Sequence, residues 1–356
     1  MHHGLVSVVI PTYNRAYCIE KAIDSVLRQT RPRVEVVVVD DGSTDDTRAL
    51  LERRYGGDAR VKVVPRPNGG VTAARNTGLR ECTGDFIALL DSDDMWMPWK
   101  LELQLACLEA LPQAGMIWTD MQAVDASGAV FAPRFLRIMY SAYEWFPREA
   151  LFSESLALPK ISCELPADAG RLYGGEIFSQ MIMGNLVHTS TVLLRRERFE
   201  KVGSFDEALR TAGEDYDFHL RTCKEGPVAF ADVASIVYQK GMPDQLTGPS
   251  HAIHRARNFL RTIAPHIERD RERIRLPQKM VDRALADAYA YIGEMALDIG
   301  ETAEARHHLL QTLTLRPWQP RQVCLLAVSV LPSAMGHRLR DAYRAVKALG
   351  TGRVDS

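Results

Sequence analysis

The sequence has no apolar run approaching the roughly 18 residues that cross a bilayer as a helix. Met1-His2-His3 opens no signal peptide, because no basic segment and apolar stretch follow it. Charge of one sign is also missing. The 44 Lys and Arg offset 45 Asp and Glu to a net −1, which excludes a global pull toward nucleic acid. The six cysteines, at 18, 82, 107, 163, 223 and 324, form no CxxC pair. Reduced thiols in a cytosolic chain are the general expectation. No GxGxxG follows the first apolar run, which argues against a dinucleotide fold. What is present is ordinary for a globular protein: 46% hydrophobic and 25% charged residues over 356 positions. That length predicts two domains, or one large domain with an appendage.

The first hundred residues alternate two periods. Val6 to Ile10, Val34 to Val39 and Val61 to Val64 are short apolar runs that predict buried parallel strands. Between the first two, Ile19, Ala22, Ile23, Val26 and Leu27 recur at helical spacing. Ser43 or Thr44 is expected to cap a second helix, with Asp45 and Asp46 in its first turn. Strand, helix, strand, helix, strand with short links predicts a parallel α/β sheet, whose ligands bind at the carboxyl ends of the strands. Those ends carry Pro11-Thr12-Tyr13-Asn14, Asp40-Asp41-Gly42, Asn68-Gly69-Gly70 and Asp91-Ser92-Asp93-Asp94.

Phe86 to Leu90 is a further buried run that breaks directly into the last of these clusters. A single Asp after a strand is usually a cap or turn residue. Three Asp in four positions crowd like charges, which a hard divalent cation with oxygen ligands would relieve. The helix opening after Gly69-Gly70 presents an amino terminus suited to an anion, and Arg75 adds positive charge there, although alone it could equally be a surface helix residue. A diphosphate facing a cation accounts for the whole edge.

Four ordered motifs carry a resemblance: Val8-Val9-Ile10-Pro11-Thr12-Tyr13-Asn14, then Val39-Asp40-Asp41-Gly42-Ser43-Thr44-Asp45, then Asn68-Gly69-Gly70 through Ala74-Arg75-Asn76-Thr77-Gly78, and Leu90-Asp91-Ser92-Asp93-Asp94. Together they resemble family 2 glycosyltransferases of the GT-A fold, a Rossmann-like mixed sheet. The resemblance implies a nucleotide-diphosphate sugar donor (UDP-, GDP- or dTDP-sugar) and Mg²⁺ or Mn²⁺. It implies that Pro11 and Tyr13, with Thr12 and Asn14 beside them, line the base. Asp41 would bond the base edge, and Asn68, Gly70 and Arg75 would lie by the base and phosphates. Asp91 and Ser92 would face the ribose and diphosphate, and Asp93 would ligate the metal with Asp91.

Farther on, Pro98-Trp99-Lys100 opens a helix with Leu101, Leu105 and Leu108 on one face. Trp96 and Trp99 read as packing residues, Trp96 alternatively as a wall for a sugar ring. Residues 132–174 show no clean period and are read as an acceptor-binding insertion in preference to an irregular connection. Gly213-Glu214-Asp215-Tyr216-Asp217 opens a helix with carboxylates in its first turn. This also resembles the family's Glu-Asp acceptor motif. An inverting transfer needs a carboxylate to take the acceptor hydroxyl's proton. Asp215 is the expected base and Glu214 the second choice.

The loop from Val237 to Thr247 resembles the closing loop of such domains, with Lys240 where the family often has His. His251 and His254 lie nearby, but neither is assigned to the metal. The family's Gln-x-x-Arg-Trp motif is absent, so single-sugar transfer is expected. A sugar nucleotidyltransferase is disfavoured because Pro11-Thr12-Tyr13-Asn14 is no Gly-rich basic loop, and a non-catalytic binding module is disfavoured by the intact acids.

The expected domains are 1–250, catalytic, with a donor half to about 120 and an acceptor half from 121, and 251–356, helical. In the second, Ala284 to Leu315 reads as a tetratricopeptide-like helix pair turning at Gly300-Glu301-Thr302. Arg255 to Arg275 is rich in Arg interleaved with Glu268, Asp270 and Glu272, a solvated face by default and an anionic membrane surface otherwise. Val323 to Met335 is apolar enough for docking or shallow membrane contact. The expected acceptor is a glycan or a lipid-linked molecule. Location is cytoplasmic, with peripheral contact at the inner membrane face as the option, and oligomeric state is open.

Overall fold

The computed structural model describes residues 4–30, 33–209, 211–242, 248 and 251–330. The chain divides into two compact units between residues 246 and 247. The first begins β1 (Val6–Thr12), α1 (Ile19–Leu27), β2 (Val34–Asp40), α2 (Thr47–Tyr55), β3 (Val61–Pro65), α3 (Val71–Glu81) and β4 (Phe86–Leu89). All four strands run parallel, in the order β3-β2-β1-β4. Every residue of β1 is buried, so both faces of this strand are covered, as a parallel sheet requires. In α1 the buried positions are Ile19, Ala22, Ile23 and Val26, one stripe of a 3.6 period. Register pairs Thr12 with Asp40 and Val9 with Leu89, so the polar clusters beyond these strands come out along one edge.

The unit continues with β5 (Met95–Trp96), α4 (Lys100–Ala110), β6 (Met116–Val124), β7 (Val130–Ala132), α5 (Leu136–Met139), a 3₁₀ turn (Ser141–Trp145), α6 (Arg148–Leu151), β8 (Glu154–Ala157), β9 (Arg171–Gly175), α7 (Phe178–Met181), β10 (Leu193–Arg195), α8 (Arg196–Val202), α9 (Glu214–Lys224) and β11 (Val228–Gln239). The sheet extends as β4-β10-β6-β11-β9-β8, with β10 antiparallel to both neighbours. The mixed sheet has the GT-A arrangement expected from the motifs. Residues 132–174 are not an irregular connection. They hold short helices and the antiparallel pair β8–β9, which lengthens the sheet. Elements of four or five residues are too short to show a period, which is why the sequence did not reveal them.

Two local expectations change. Helix α2 starts at Thr47, because Ser43 and Thr44 are bonded across to Asn14 instead of capping it. Trp96 is buried, its indole N–H donating to the Ser190 carbonyl at 2.8 Å, with Lys100 Nζ 3.9 Å over its ring. It is a packing residue and presents no wall to a ligand.

The second unit contains α10 (Ala252–Arg269), α11 (Gln278–Asp298), α12 (Thr302–Leu315) and α13 (Pro320–Ser329). Its core joins Ile253 and Ala256 of α10, Ile292, Ala296 and Leu297 of α11, and Ala305 and Leu309 of α12. Helices α11 and α12 are joined through Gly300, at φ 84°, a left-handed position that glycine adopts without a Cβ penalty. Arg271 donates to Gln278 Oε1, to the Ile274 carbonyl at 2.8 Å and to that of Leu276, so it belongs to the turn before α11. No described helix is long and apolar enough to cross a membrane. Residues 243–247 of the closing loop, 331–335 of the apolar stretch and the tail to 356 lie outside the described residues.

Candidate active site

The edge of the parallel sheet is assembled by cross-loop hydrogen bonds. Asn14 stands in the left-handed region at φ 53°. Its N–H donates to Ser43 Oγ at 2.9 Å and its Oδ1 accepts from Thr44 N–H at 2.7 Å. Pro11 and Thr12 are buried in β1, whereas Tyr13 is 45% exposed and free to meet a flat ligand. Asp41 accepts from the amides of Gly69 and Gly70, at 3.1 and 2.8 Å, and from the Arg66 guanidinium. A carboxylate on two successive amides orders the Asn68-Gly69-Gly70 turn that launches α3. Gly70, the residue before that helix, has φ 86°.

Helix α3 lies so close to the sheet that a Cβ on Gly78 would come 2.4 Å from Val9 Cγ1. This packing carries Arg75 inward. Arg75 is 4% exposed, not a surface residue, and its guanidinium bridges two carboxylates. It donates to Asp91 Oδ1 at 2.7 Å and to Glu214 Oε1 at 2.6 Å, with the Phe205 ring 5.5 Å beneath. Burial alone would raise the Asp91 carboxyl, yet the Arg75 charge and hydrogen bond hold it below its ordinary value.

Beyond β4 the acids separate. Ligand atoms of Asp91, Asp94 and His188 all lie within 4.8 Å of one another. Asp94 is buried and receives the Gln239 amide at 3.3 Å, while His188 Nε2 faces its Oδ2 at 3.4 Å. Asp93 turns to Arg15, 3.4 Å away. Burial first, and then the neighbouring Asp94 and Asp91, push the Asp93 carboxyl up to about 7. Two carboxylates and an imidazole offer ligand atoms close enough together to share a divalent cation such as Mn²⁺. Ser92 beside them in sequence is buried.

Helix α9 opens at Gly213, left-handed at φ 90°, with Glu214, Asp215 and Asp217 in its first turn. The three acids have different partners. Glu214 is buried against Arg75, and Asp217 binds Arg221 at 2.9 Å one turn along. No ion pair holds Asp215 among the described residues; its Oδ1 accepts the Tyr216 amide at 2.7 Å. Burial holds the Asp215 carboxyl above its ordinary value despite the opposing charge of Arg75. Burial likewise pushes Glu214 up to about 7 against the pull of Arg75.

Two members of the cluster were not read from the sequence. His188 sits in a turn-like segment before β10, and only its polarity ahead of an apolar strand could have flagged it. Tyr140 follows α5 inside the aperiodic stretch and gave no signal. Its hydroxyl lies 3.3 Å from His188 Nδ1, and the Tyr238 ring packs edge-on to the imidazole at 5.2 Å. Lys240 is exposed over the rings of Phe131 and Phe135, outside this acidic cluster. His251 and His254 stand at the head of α10 in the second unit.

Comparison with known proteins places these observations. The sequence pattern described as Glycosyl transferase family 2 matches residues 7–128. A chondroitin synthase from Pasteurella multocida (strain Pm70) is 35% identical over 155 residues, 43% of this chain and 15% of that protein. The match therefore spans about a seventh of that relative's length. Among solved structures, S. aureus TarS 1-349 in complex with UDP-GlcNAc superposes with a TM-score of 0.52 at 19% identity, covering 91% of this chain and 90% of that one. Mannosyltransferase PcManGT from Pyrobaculum calidifontis, in complex with GDP-Man and Mn2+, also scores 0.52, at 18% identity over 98% and 81%. At these identities the structures establish a shared fold.

Proposed function

We propose, from the premise that residues 7–128 are a glycosyl transferase family 2 domain, that this chain moves one sugar from a nucleotide-diphosphate donor to an acceptor hydroxyl, with inversion at the anomeric carbon. One observation carries the reading. The Asp91–Asp94–His188 group and the first turn of α9, bonded together through Arg75, meet at one edge of the sheet.

Tyr13, exposed beside Pro11 and Asn14, stacks on the base. Asp41 and the Asn68-Gly69-Gly70 turn it orders meet the base edge. Asp91, Asp94 and His188 would hold a divalent cation, while Asp93 stays with Arg15. A divalent cation bound there would supply Lewis-acid chemistry for the leaving diphosphate. Arg75 spreads positive charge over Asp91 and keeps that carboxylate ionised and in place. Asp215 accepts the acceptor hydroxyl's proton as the oxygen attacks; Glu214, engaged by Arg75, cannot turn to do so. TarS and PcManGT are described with UDP-GlcNAc and with GDP-Man, which supports a nucleotide-sugar donor without choosing the base. The chondroitin synthase relative supports a glycan acceptor in polysaccharide synthesis.

Calorimetry against UDP-, GDP- and dTDP-sugars with Mn²⁺ or Mg²⁺, followed by mass spectrometry of the products, tests the proposal. Binding of one donor that depends on the metal, with slow release of its sugar, is the expected result. Failure of every donor to bind would end this reading.

A further inference from the structure

His188 is held at both ring nitrogens. Nε2 faces Asp94 Oδ2 at 3.4 Å within the candidate metal group, and Nδ1 faces the Tyr140 hydroxyl at 3.3 Å. The imidazole is buried, with the Tyr238 ring edge-on to it at 5.2 Å. A buried imidazole that gives one nitrogen's lone pair to a metal must carry its proton on the other nitrogen, and that N–H needs an acceptor. Without a metal the proton can sit on Nε2 and bond to Asp94, leaving Nδ1 as an acceptor. A hydroxyl suits both states, because it can donate or accept. Tyr140 supplies that hydroxyl.

We infer that Tyr140 is a positioning residue for the metal site: it satisfies His188 Nδ1 in either tautomer and so lets Nε2 complete the Asp91–Asp94 group as its nitrogen ligand. The inference rests on the metal reading proposed above. It also gives the 132–174 stretch a task on the donor side, since Tyr140 follows α5 within it.

The test uses the full chain and Mn²⁺ alone or with UDP, read by electron paramagnetic resonance. The wild type should show bound Mn²⁺ with a nitrogen modulation from imidazole, and His188→Gln should lose that modulation. Tyr140→Phe should keep it while weakening Mn²⁺ binding by about 10–100-fold, the usual effect of losing an outer-shell partner. His188→Gln with Tyr140→Phe should bind no worse than His188→Gln alone, because Tyr140 acts through the imidazole. Far-ultraviolet circular dichroism shows whether each variant is folded. Wild-type affinity in folded Tyr140→Phe, or bound Mn²⁺ without nitrogen modulation in the wild type, overturns the inference and leaves the enzyme reading intact. Absence of Mn²⁺ binding with and without UDP overturns both the inference and the metal dependence.

Discussion

Side chains that look alike in sequence do different work because their neighbours differ. Glu214, Asp215 and Asp217 share one helical turn, but Arg75 and Arg221 claim the outer two. Asp215→Asn keeps the shape and removes the proton acceptor, so transfer should fall by roughly 10²–10⁴-fold. Donor binding, read by calorimetry, should stay near wild type. Unchanged transfer would move the base elsewhere. The pH dependence follows from the same residue. Burial lifts its carboxyl above the ordinary 3.8, and only the ionised form accepts a proton. Transfer should therefore decline as pH falls, with the midpoint of that limb above 3.8, and a pH–rate profile locates it. For the metal, Asp94→Asn should weaken Mn²⁺ binding more than Asp93→Asn. The reverse order, measured by titration, would return Asp93 to the ligand set.

At the scale of elements, α3 matters most, because one helix carries Arg75 to the acids and Asn76 to the chain leading into α9. Asn76 Oδ1 accepts the Phe205 amide at 2.9 Å and its Nδ2 donates to the Phe205 carbonyl at 3.0 Å. The close approach of α3 to β1 depends on Gly78 having no side chain. Gly78→Ala would drive a methyl into Val9, and overpacking of this kind costs about 1–3 kcal/mol. Thermal denaturation should show a drop of several degrees. Nucleotide binding should weaken with it, because Arg75 rides on the displaced helix. An unshifted melting temperature would mean that α3 slides freely and does not fix the site.

At the scale of the whole molecule, each unit has its own core and its own charge pairs. In the second, Arg257 of α10 donates to Glu304 of α12 at 2.9 Å and to Glu301. The hydrogen bond from Arg257 outweighs burial and lowers the Glu304 carboxyl from 4.5 to about 2. A carboxyl lowered on folding contributes stability in full above its unfolded value, and that contribution disappears as pH falls through the folded value. The melting-temperature gap between wild type and Glu304→Gln should thus be widest above pH 4.5 and close toward pH 2. A gap that widens in acid would exclude the pairing. The proposed donor and base residues all precede residue 247, so a chain ended after Ser250 should still bind nucleotide with Mn²⁺. It should transfer poorly if the helical unit presents the acceptor. Full transfer by the shortened chain would remove that role.

The amino acids alone determined the parallel strands, because runs such as Val36 to Val39 can only be covered on both faces. They also determined that four polar clusters share one edge, since parallel strands end on the same side. The resemblance of those clusters to a known family followed from local order and spacing. Tertiary structure decided the partners. Whether Arg75 faces water or two carboxylates depends on how closely α3 approaches β1. Asp94 and His188 stand 94 positions apart, and pairing over such a distance leaves no period to read. Tyr140 comes from elements too short to show a pattern, and only folding sets its hydroxyl beside the imidazole. The sequence names the edge where the polar clusters gather; packing assigns each acid and nitrogen its partner there, because a carboxylate's ionisation is set by the charges and donors around it.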